Sequence, residues 1–375
     1  MHEKLDTVSL RESIERGVKQ VQMGKPSFDI NSYLGRRLPV TFPNKGISQF
    51  RDSAQQIEVH HELIEMSKLI SEVDRGRVES VIDFYGSSHQ REYCYMVCGH
   101  RFEGAQTIQF RGVLGLNRLY KLILMLRLLG ISSDQISLVD HDPQYVDIVE
   151  ADLERFPGSS DLVIVGGQVA LRSLLASEFS QVERIRGNIV SYGVYTYNKK
   201  TIVMTSFPYG DLCETVVRCL ATKGMGAVAF VGSAGALSES LQVGDIIAPR
   251  TVVNDEGTEL VKRFSNRLRD PGLVTSKPSD RHGNVKTPLL ETDEVVTLLR
   301  RMGCETVDVE ALHFQQGCER WFPEHLRIGI LLYVIDKPFS QVSLAQHDYS
   351  LPRVMDVPRT VASLIKDSID GDIWR

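Results

Sequence analysis

Apolar residues recur along this chain in two rhythms, one of helical and one of strand spacing, and the changes between them mark its organisation. From 57 to 73, Val59, Leu63, Ile64, Met66, Leu69 and Ile70 fall at helical spacing with charges between them, which predicts a helix. The pattern then shortens to apolar runs at 81–85 and 136–140, read as strands, separated by a long amphipathic stretch, 116–130, that a glycine closes. A helical pattern over 144–156 ends at Pro157-Gly158-Ser159-Ser160, the predicted domain boundary. Beyond it, runs at 161–165, 188–194, 201–205, 227–231 and 328–335 alternate with helical stretches at 212–223 and 353–369. Such alternation predicts an α/β fold, a three-layer αβα sandwich around a twisted mixed sheet, over 159–375. Residues 1–158 form a smaller helical and α/β region with no assigned role. Between 254 and 285 the chain is polar and without period, which reads as a long loop.

Composition narrows the function classes. The 375 residues are 42% hydrophobic and 24% charged, as in ordinary globular proteins, and the net charge of −5 gives no reason to expect nucleic acid as a partner. Six cysteines scattered over so long a chain read as reduced thiols, and the charged start MHEKLDTVSLRESIERG lacks the apolar core of a signal peptide. The longest apolar patch, 119–129, is interrupted by Lys121 and Arg127 and is too short to span a bilayer. A cytoplasmic protein without membrane association is expected. Cys94, Cys98 and His100 are close in sequence, but no second pair stands at zinc spacing, so no metal is expected. Gly86-Ser87-Ser88-His89 reads as an ordinary turn after a strand.

The stretch 226–249 carries the strongest signal of a site. An apolar run, Ala227 to Val231, leads into Gly232-Ser233-Ala234-Gly235-Ala236, read as a small-residue turn that lets a ligand approach the backbone. Asp336 ends another apolar run, a setting in which burial lifts a carboxyl towards a proton donor's range. Glu310 is a carboxylate able to accept two hydroxyl hydrogen bonds, which suits a vicinal diol. Each residue has a plainer reading too: Asp336 as a turn cap, Glu310 as a helix-surface charge, Ser233 as a turn serine.

The segment Val231-Gly-Ser-Ala-Gly-Ala-Leu-Ser-Glu-Ser-Leu-Gln-Val-Gly-Asp-Ile-Ile-Ala-Pro249 resembles the central motif of the nucleoside phosphorylase/nucleosidase superfamily. Thr306-Val-Asp-Val-Glu310-Ala311 resembles that superfamily's ribose-binding segment, and Leu332-Tyr-Val-Ile-Asp336 the strand ending in its catalytic aspartate. The three occur in the same order, and the resemblance spans about residues 160–368. It implies cleavage of the N-glycosidic bond of a purine nucleoside or nucleotide. Asp336 would protonate the base, Glu310, with Asp308 and Val309, would hold the ribose, and Ser233 with Gly232, Ala234 and Gly235 would face the nucleophile. Tyr209 and Gly210 would line the same pocket. It further implies a homo-oligomer and no cofactor, with phosphate as co-substrate if the protein is a phosphorylase.

The departures bear on the nucleophile. Phosphorolytic members carry an arginine just before the Val-Gly-Ser segment, where this chain has Phe230, a ring that cannot pair with phosphate. Val309 replaces a methionine. After Gly166-Gly167-Gln168 there is no water-activating glutamate, and Arg172 falls one position late for a phosphate-binding arginine. Loss of the arginine favours hydrolysis. A phosphorylase using Arg172, or a nucleoside-binding sensor that has lost catalysis, are the alternatives.

Overall fold

A computed structural model describes residues 7–30, 34, 56–60, 80–85, 91–99, 106–139, 145–166, 179–255, 266–269, 281–322, 325–340 and 352–371. Packing divides the chain into two compact units, Met1–Gly24 with Asp29–Gln144, and Lys25–Phe28 with Tyr145–Arg375.

In the first unit α1 (Thr7–Met23) packs on α2 (Leu116–Leu128). Strands β1 (Gln56–His60), β2 (Ser80–Tyr85), β3 (Arg91–Gly99), β4 (Gln106–Arg111) and β5 (Ile136–Val139) form one sheet in the order β2-β3-β4-β1-β5. The helix expected over 57–73 is not there at its start. Residues 56–60 run parallel to both β4 and β5, with Ile57 and Val59 wholly buried. A strand flanked on both sides gains its ladder bonds from tertiary pairing, which overrides local helical spacing. The rest of that prediction, and the turn 86–89, lie outside the described residues, as do the side chains of Cys94, Cys98 and His100. As expected, α2 stops at a glycine: Gly130 adopts φ +88°, and Ile131 N–H reaches back to Leu126 C=O at 3.1 Å.

The second unit begins earlier than the proline signal predicts. Helix α3 (Tyr145–Asp152) and the residues after it belong to it, because Val149, Leu153 and Phe156 are buried in its core. The sheet here starts with β6 (Leu162–Gly166), β7 (Ser180–Ile185), β8 (Tyr192–Tyr197) and β9 (Lys200–Thr205). Its centre is β10 (Ala227–Ala236), and beyond that come β11 (Ile246–Ile247), β12 (Thr251–Asn254), β13 (Arg281–Asn284), β14 (Cys304–Asp308) and β15 (Arg327–Asp336). The order is β12-β13-β14-β10-β6-β9-β8-β7, with β15 along β10 and β11. Strand β13 lies inside the stretch read as a long loop. Short and polar in sequence, it is held by parallel pairing to β12 and β14 on either side.

Alternation along β10 sorts its side chains between two helical layers. Val228 and Phe230 join the core under α3, α4 (Leu212–Ala221) and α6 (Ala311–Trp321), whereas Ala229 and Val231 join the core under α7 (Pro352–Asp370). The same split holds in β6 and β15. Helix α5 (Asp293–Arg301) covers β14 with a third cluster, around Val307 and Leu299. This is the αβα sandwich with a mixed sheet. Each aliphatic side chain so buried contributes about 1.5–3 kcal/mol.

Candidate active site

Small residues in β10 serve a strand that changes partners. Residues 232–236, read as a turn, are instead the second half of this ten-residue strand. On one edge β10 pairs with β15 along its whole length, from Ala227↔Arg327 to Gly235↔Asp336. On the other it pairs with β6 only up to Val231↔Gly166, then with β14 at Gly235↔Val307 and Ala236↔Thr306. Gly166 ends β6 at φ +89°, and a Cβ there would stand 2.4 Å from the Val231 carbonyl oxygen. Among the described strands, Gly232, Ser233 and Ala234 therefore pair on one edge only. A gap where neighbouring strands part, past the carboxyl end of a parallel strand, is where open α/β sheets admit ligands.

Asp336 ends β15, the strand along the other edge of β10. A bulge between Ala234 and Gly235 brings it opposite Gly235. A Cβ on Gly235 would lie 3.3 Å from Asp336 Oδ1 and 3.4 Å from Val307 Cγ1, so glycine is what lets the carboxyl settle over the strand. Asp336 is only 4% exposed. Beside it is a second buried carboxyl that the sequence reading missed. Glu291, 6% exposed, has its pKa pushed well above the usual carboxylate range, first by burial and then by the charge of Asp336. Ser27 Oγ donates to Glu291 Oε2 at 3.3 Å, which opposes that rise. The charge of Asp336 thus works against ionisation of Glu291.

Glu310 follows β14, the strand that pairs with the end of β10. It is buried, and its Oε1 accepts the backbone N–H of Gly210 at 3.3 Å. Gly210 takes φ +55°, a turn that aims this N–H at the carboxylate. Tyr209 packs on the cluster containing Val307 and Val309, so residues 209–210 and the end of β14 meet. Asp308 is tied to the groups around it. Its carboxylate accepts the N–H groups of Glu310 and Ala311 at 3.1–3.2 Å, capping α6, and the Asn284 amide at 3.0 Å. His282 Nε2 stands 2.8 Å from its Oδ1. These bonds fix the backbone from which Glu310 projects.

No family profile matches the chain, and no curated protein matches it. Solved structures do. The 5'-methylthioadenosine/S-adenosylhomocysteine nucleosidase of Helicobacter pylori with butyl-thio-DADMe-Immucillin-A is 14% identical with a TM-score of 0.46, over 58% of this chain and 99% of that one. Futalosine hydrolase of Helicobacter pylori is 13% identical with a TM-score of 0.46, over 56% and 98%. Purine nucleoside phosphorylase of Toxoplasma gondii with immucillin-H is 13% identical with a TM-score of 0.45, over 60% and 93%.

The remaining sequence candidates divide. Ser233 is half-buried in β10 opposite Tyr333. Phe230 is wholly buried, its ring 5.7 Å from that of Phe207 and 5.3 Å from that of Phe314. Gln168 and Arg172 lie outside the described residues. Glu291 escaped the sequence reading because Glu-Thr-Asp-Glu before an apolar period reads as a helix start. Thr292 is indeed the N-cap of α5, its hydroxyl accepting Val295 N–H. Only the burial of the residue before the cap sets Glu291 apart. Among the described residues no helix is long and apolar enough to cross a membrane.

Proposed function

We propose that this chain cleaves the N-glycosidic bond of a purine nucleoside or nucleotide, with water rather than phosphate as the nucleophile. The observation that carries the reading is the buried carboxyl of Asp336, seated against Gly235 of β10. Departure of a purine from a sugar with oxocarbenium character is speeded by a proton on the base, which a buried carboxyl placed there can supply. In this reading Asp336 donates that proton to the departing base and is left as the carboxylate, which takes back the proton shed by the attacking water. Glu310, oriented by Gly210, accepts the ribose hydroxyls, and Ser233 with the open edge of Gly232 and Ala234 faces the incoming water.

Phe230 supports water over phosphate. Its ring is embedded between Phe207 and Phe314, in surroundings that would penalise an anion. The reading also places the protein in the cytoplasm, working as a homo-oligomer on a small molecule and without metal or organic cofactor.

The test is release of free base from a panel of purine nucleosides and nucleotides, with and without inorganic phosphate. Release without phosphate is the expected result. Release only with phosphate, as ribose 1-phosphate, would replace it with a phosphorylase, and ligand binding without base release with a sensor.

A further inference from the structure

Glu310 occupies the N-cap of α6 without capping it. A polar residue in that place ordinarily turns its side chain back to the first N–H groups of its own helix. Here Asp308, two residues earlier, takes that task. Its Oδ1 accepts Glu310 N–H at 3.2 Å, and both its oxygens accept Ala311 N–H at 3.1 Å. The Glu310 carboxylate instead reaches Gly210 N–H, 3.3 Å from Oε1. Its direction is set by the backbone that Asp308 pins, so whatever orients Asp308 also orients Glu310.

Asn284 fills that role. It lies in β13, inside the stretch whose sequence reads as a loop, and stands opposite Asp308 in the parallel register of β13 with β14. Both residues are buried, 4% and 6% exposed. Asn284 Nδ2 donates to Asp308 Oδ1 at 3.0 Å. An ionised carboxylate only accepts, so the amide must present its nitrogen there. Next along the chain, Val285 N–H bonds to Asp308 C=O at 2.9 Å, which ties the main chain as well. His282 Nε2 is 2.8 Å from the same carboxylate oxygen but out of line for a hydrogen bond, and its Nδ1 meets the Thr306 hydroxyl at 2.8 Å. Among the described side chains, Asn284 is thus the one that donates to Asp308 in line. We propose that Asn284 is a positioning residue: its amide sets the Asp308 carboxylate as the cap of α6 and, through it, the direction of the Glu310 carboxylate. The inference rests on the reading of Glu310 as the group that holds the ribose, and names what aims it.

The experiment uses the full chain, 15N-labelled, with amide hydrogen exchange read by NMR at Gly210 and Ala311. Val163, wholly buried in β6, is the reference for overall stability. Asn284→Asp keeps the shape but sets a second carboxylate against Asp308, and Asn284→Ala removes the donor without adding charge. Both are expected to speed exchange at Gly210 and Ala311 about tenfold relative to Val163, the loss of one buried hydrogen bond. The double variant Asn284→Asp with Asp308→Asn rebuilds donor and acceptor in reverse, and should bring the ratio back. On purine ribonucleosides each single variant at 284 should raise KM about tenfold and leave kcat within about twofold, because a clasp already made in the ground state acts on KM. The double variant should recover KM. If Asn284→Asp does not fold, Asn284→Ala is read in its place. Exchange that changes by the same factor at all three amides, or KM that stays put in an active enzyme, overturns the assignment. If exchange moves as expected but the wild-type chain releases no base, the role of Asn284 stands and the glycosidic reading falls.

Discussion

Glu291, just before α5, and Asp336, at the end of β15, come from different elements of the second unit, yet the charge of Asp336 acts on the buried Glu291 carboxyl. Glu291 is pushed far up its scale by burial and by the Asp336 charge. In the proposed reaction Asp336 supplies the proton to the departing base. Asp336→Asn keeps the shape and removes the donor, so base release should fall by about 10²–10⁴-fold, the usual contribution of a positioned acid. Circular dichroism and Tm should be unchanged or slightly improved. Wild-type turnover in that variant would take Asp336 out of the acid's role.

Stability should carry the signature of the same pair. A carboxyl whose folded pKa is raised binds its proton more tightly in the native state than in the unfolded chain. Its contribution is therefore fully present below the unfolded value, near 4.5, and is lost as pH rises through the folded one. Glu291→Gln removes that loss while leaving an acceptor for the Ser27 hydroxyl. The variant should melt roughly 2–4 °C above wild type at pH 7–8, the equivalent of about 1 kcal/mol, with the gap closing near pH 4. A gap that is constant with pH, or reversed, would mean that Glu291 is not the strained member.

Glu310 should report on the sugar. Its carboxylate is oriented by the Gly210 N–H and, in the proposed function, accepts the 2'- and 3'-hydroxyls. Glu310→Gln should reduce kcat/KM for ribonucleosides by about 10²-fold and much less for 2'-deoxynucleosides, which have already lost one of the bonds. The comparison to make is the ratio of the two substrates in each protein. An equal loss on both would show that Glu310 does not touch the 2'-hydroxyl.

The sandwich was readable from the sequence because its strands and helices announce themselves locally. The Asp161–Gly166 run, the strand ending at Thr205 and the helix from Leu212 all stand where periodicity predicts. What could not be read is whatever long-range pairing decides. Residues 56–60 are a strand because β4 and β5 flank them, and Arg281–Asn284 because β12 and β14 do. The small-residue segment 232–236 looks like a turn because its neighbours across the sheet, Asp336 and Val307, are invisible locally. Ser27 and Glu291 are the extreme case, since no local pattern ties a serine in the first thirty residues to a carboxyl more than 260 positions away.

Phe230 invites an obvious but misleading experiment. Placing an arginine there to pair with phosphate should not create phosphate dependence. The side chain is fully buried between Phe207 and Phe314, and a guanidinium in that setting would be an unpaired buried charge. Phe230→Arg should lower stability by about 3–5 kcal/mol, comparable to emptying the site with Phe230→Ala. Urea denaturation of both variants measures this. A soluble, stable Phe230→Arg protein that gains phosphorolysis would place the residue at the anion site instead.

Gly235 offers the sharpest separation of catalysis from folding. Its backbone is ordinary strand, so a side chain brings no left-handed strain, and the only cost is space. A methyl at this position would sit 3.3 Å from Asp336 Oδ1 and 3.4 Å from both Pro338 Cδ and Val307 Cγ1. Each contact is tight by a few tenths of an ångström and no more, so the neighbours yield slightly rather than clash. Of the three, the carboxyl is the one whose placement the proposed proton transfer depends on, and small displacements of an acid are expensive in rate. Gly235→Ala should therefore change stability by less than about 1 kcal/mol while lowering kcat about tenfold or more. The matched control is Gly166→Ala, where φ is +89° and the methyl would meet the Val231 carbonyl oxygen at 2.4 Å. That variant should lose several kcal/mol of stability whatever happens to activity. Equal stability losses in the two, or full turnover in Gly235→Ala, would mean that the carboxyl can shift without consequence, and that the closeness of Asp336 to β10 is not what the site uses.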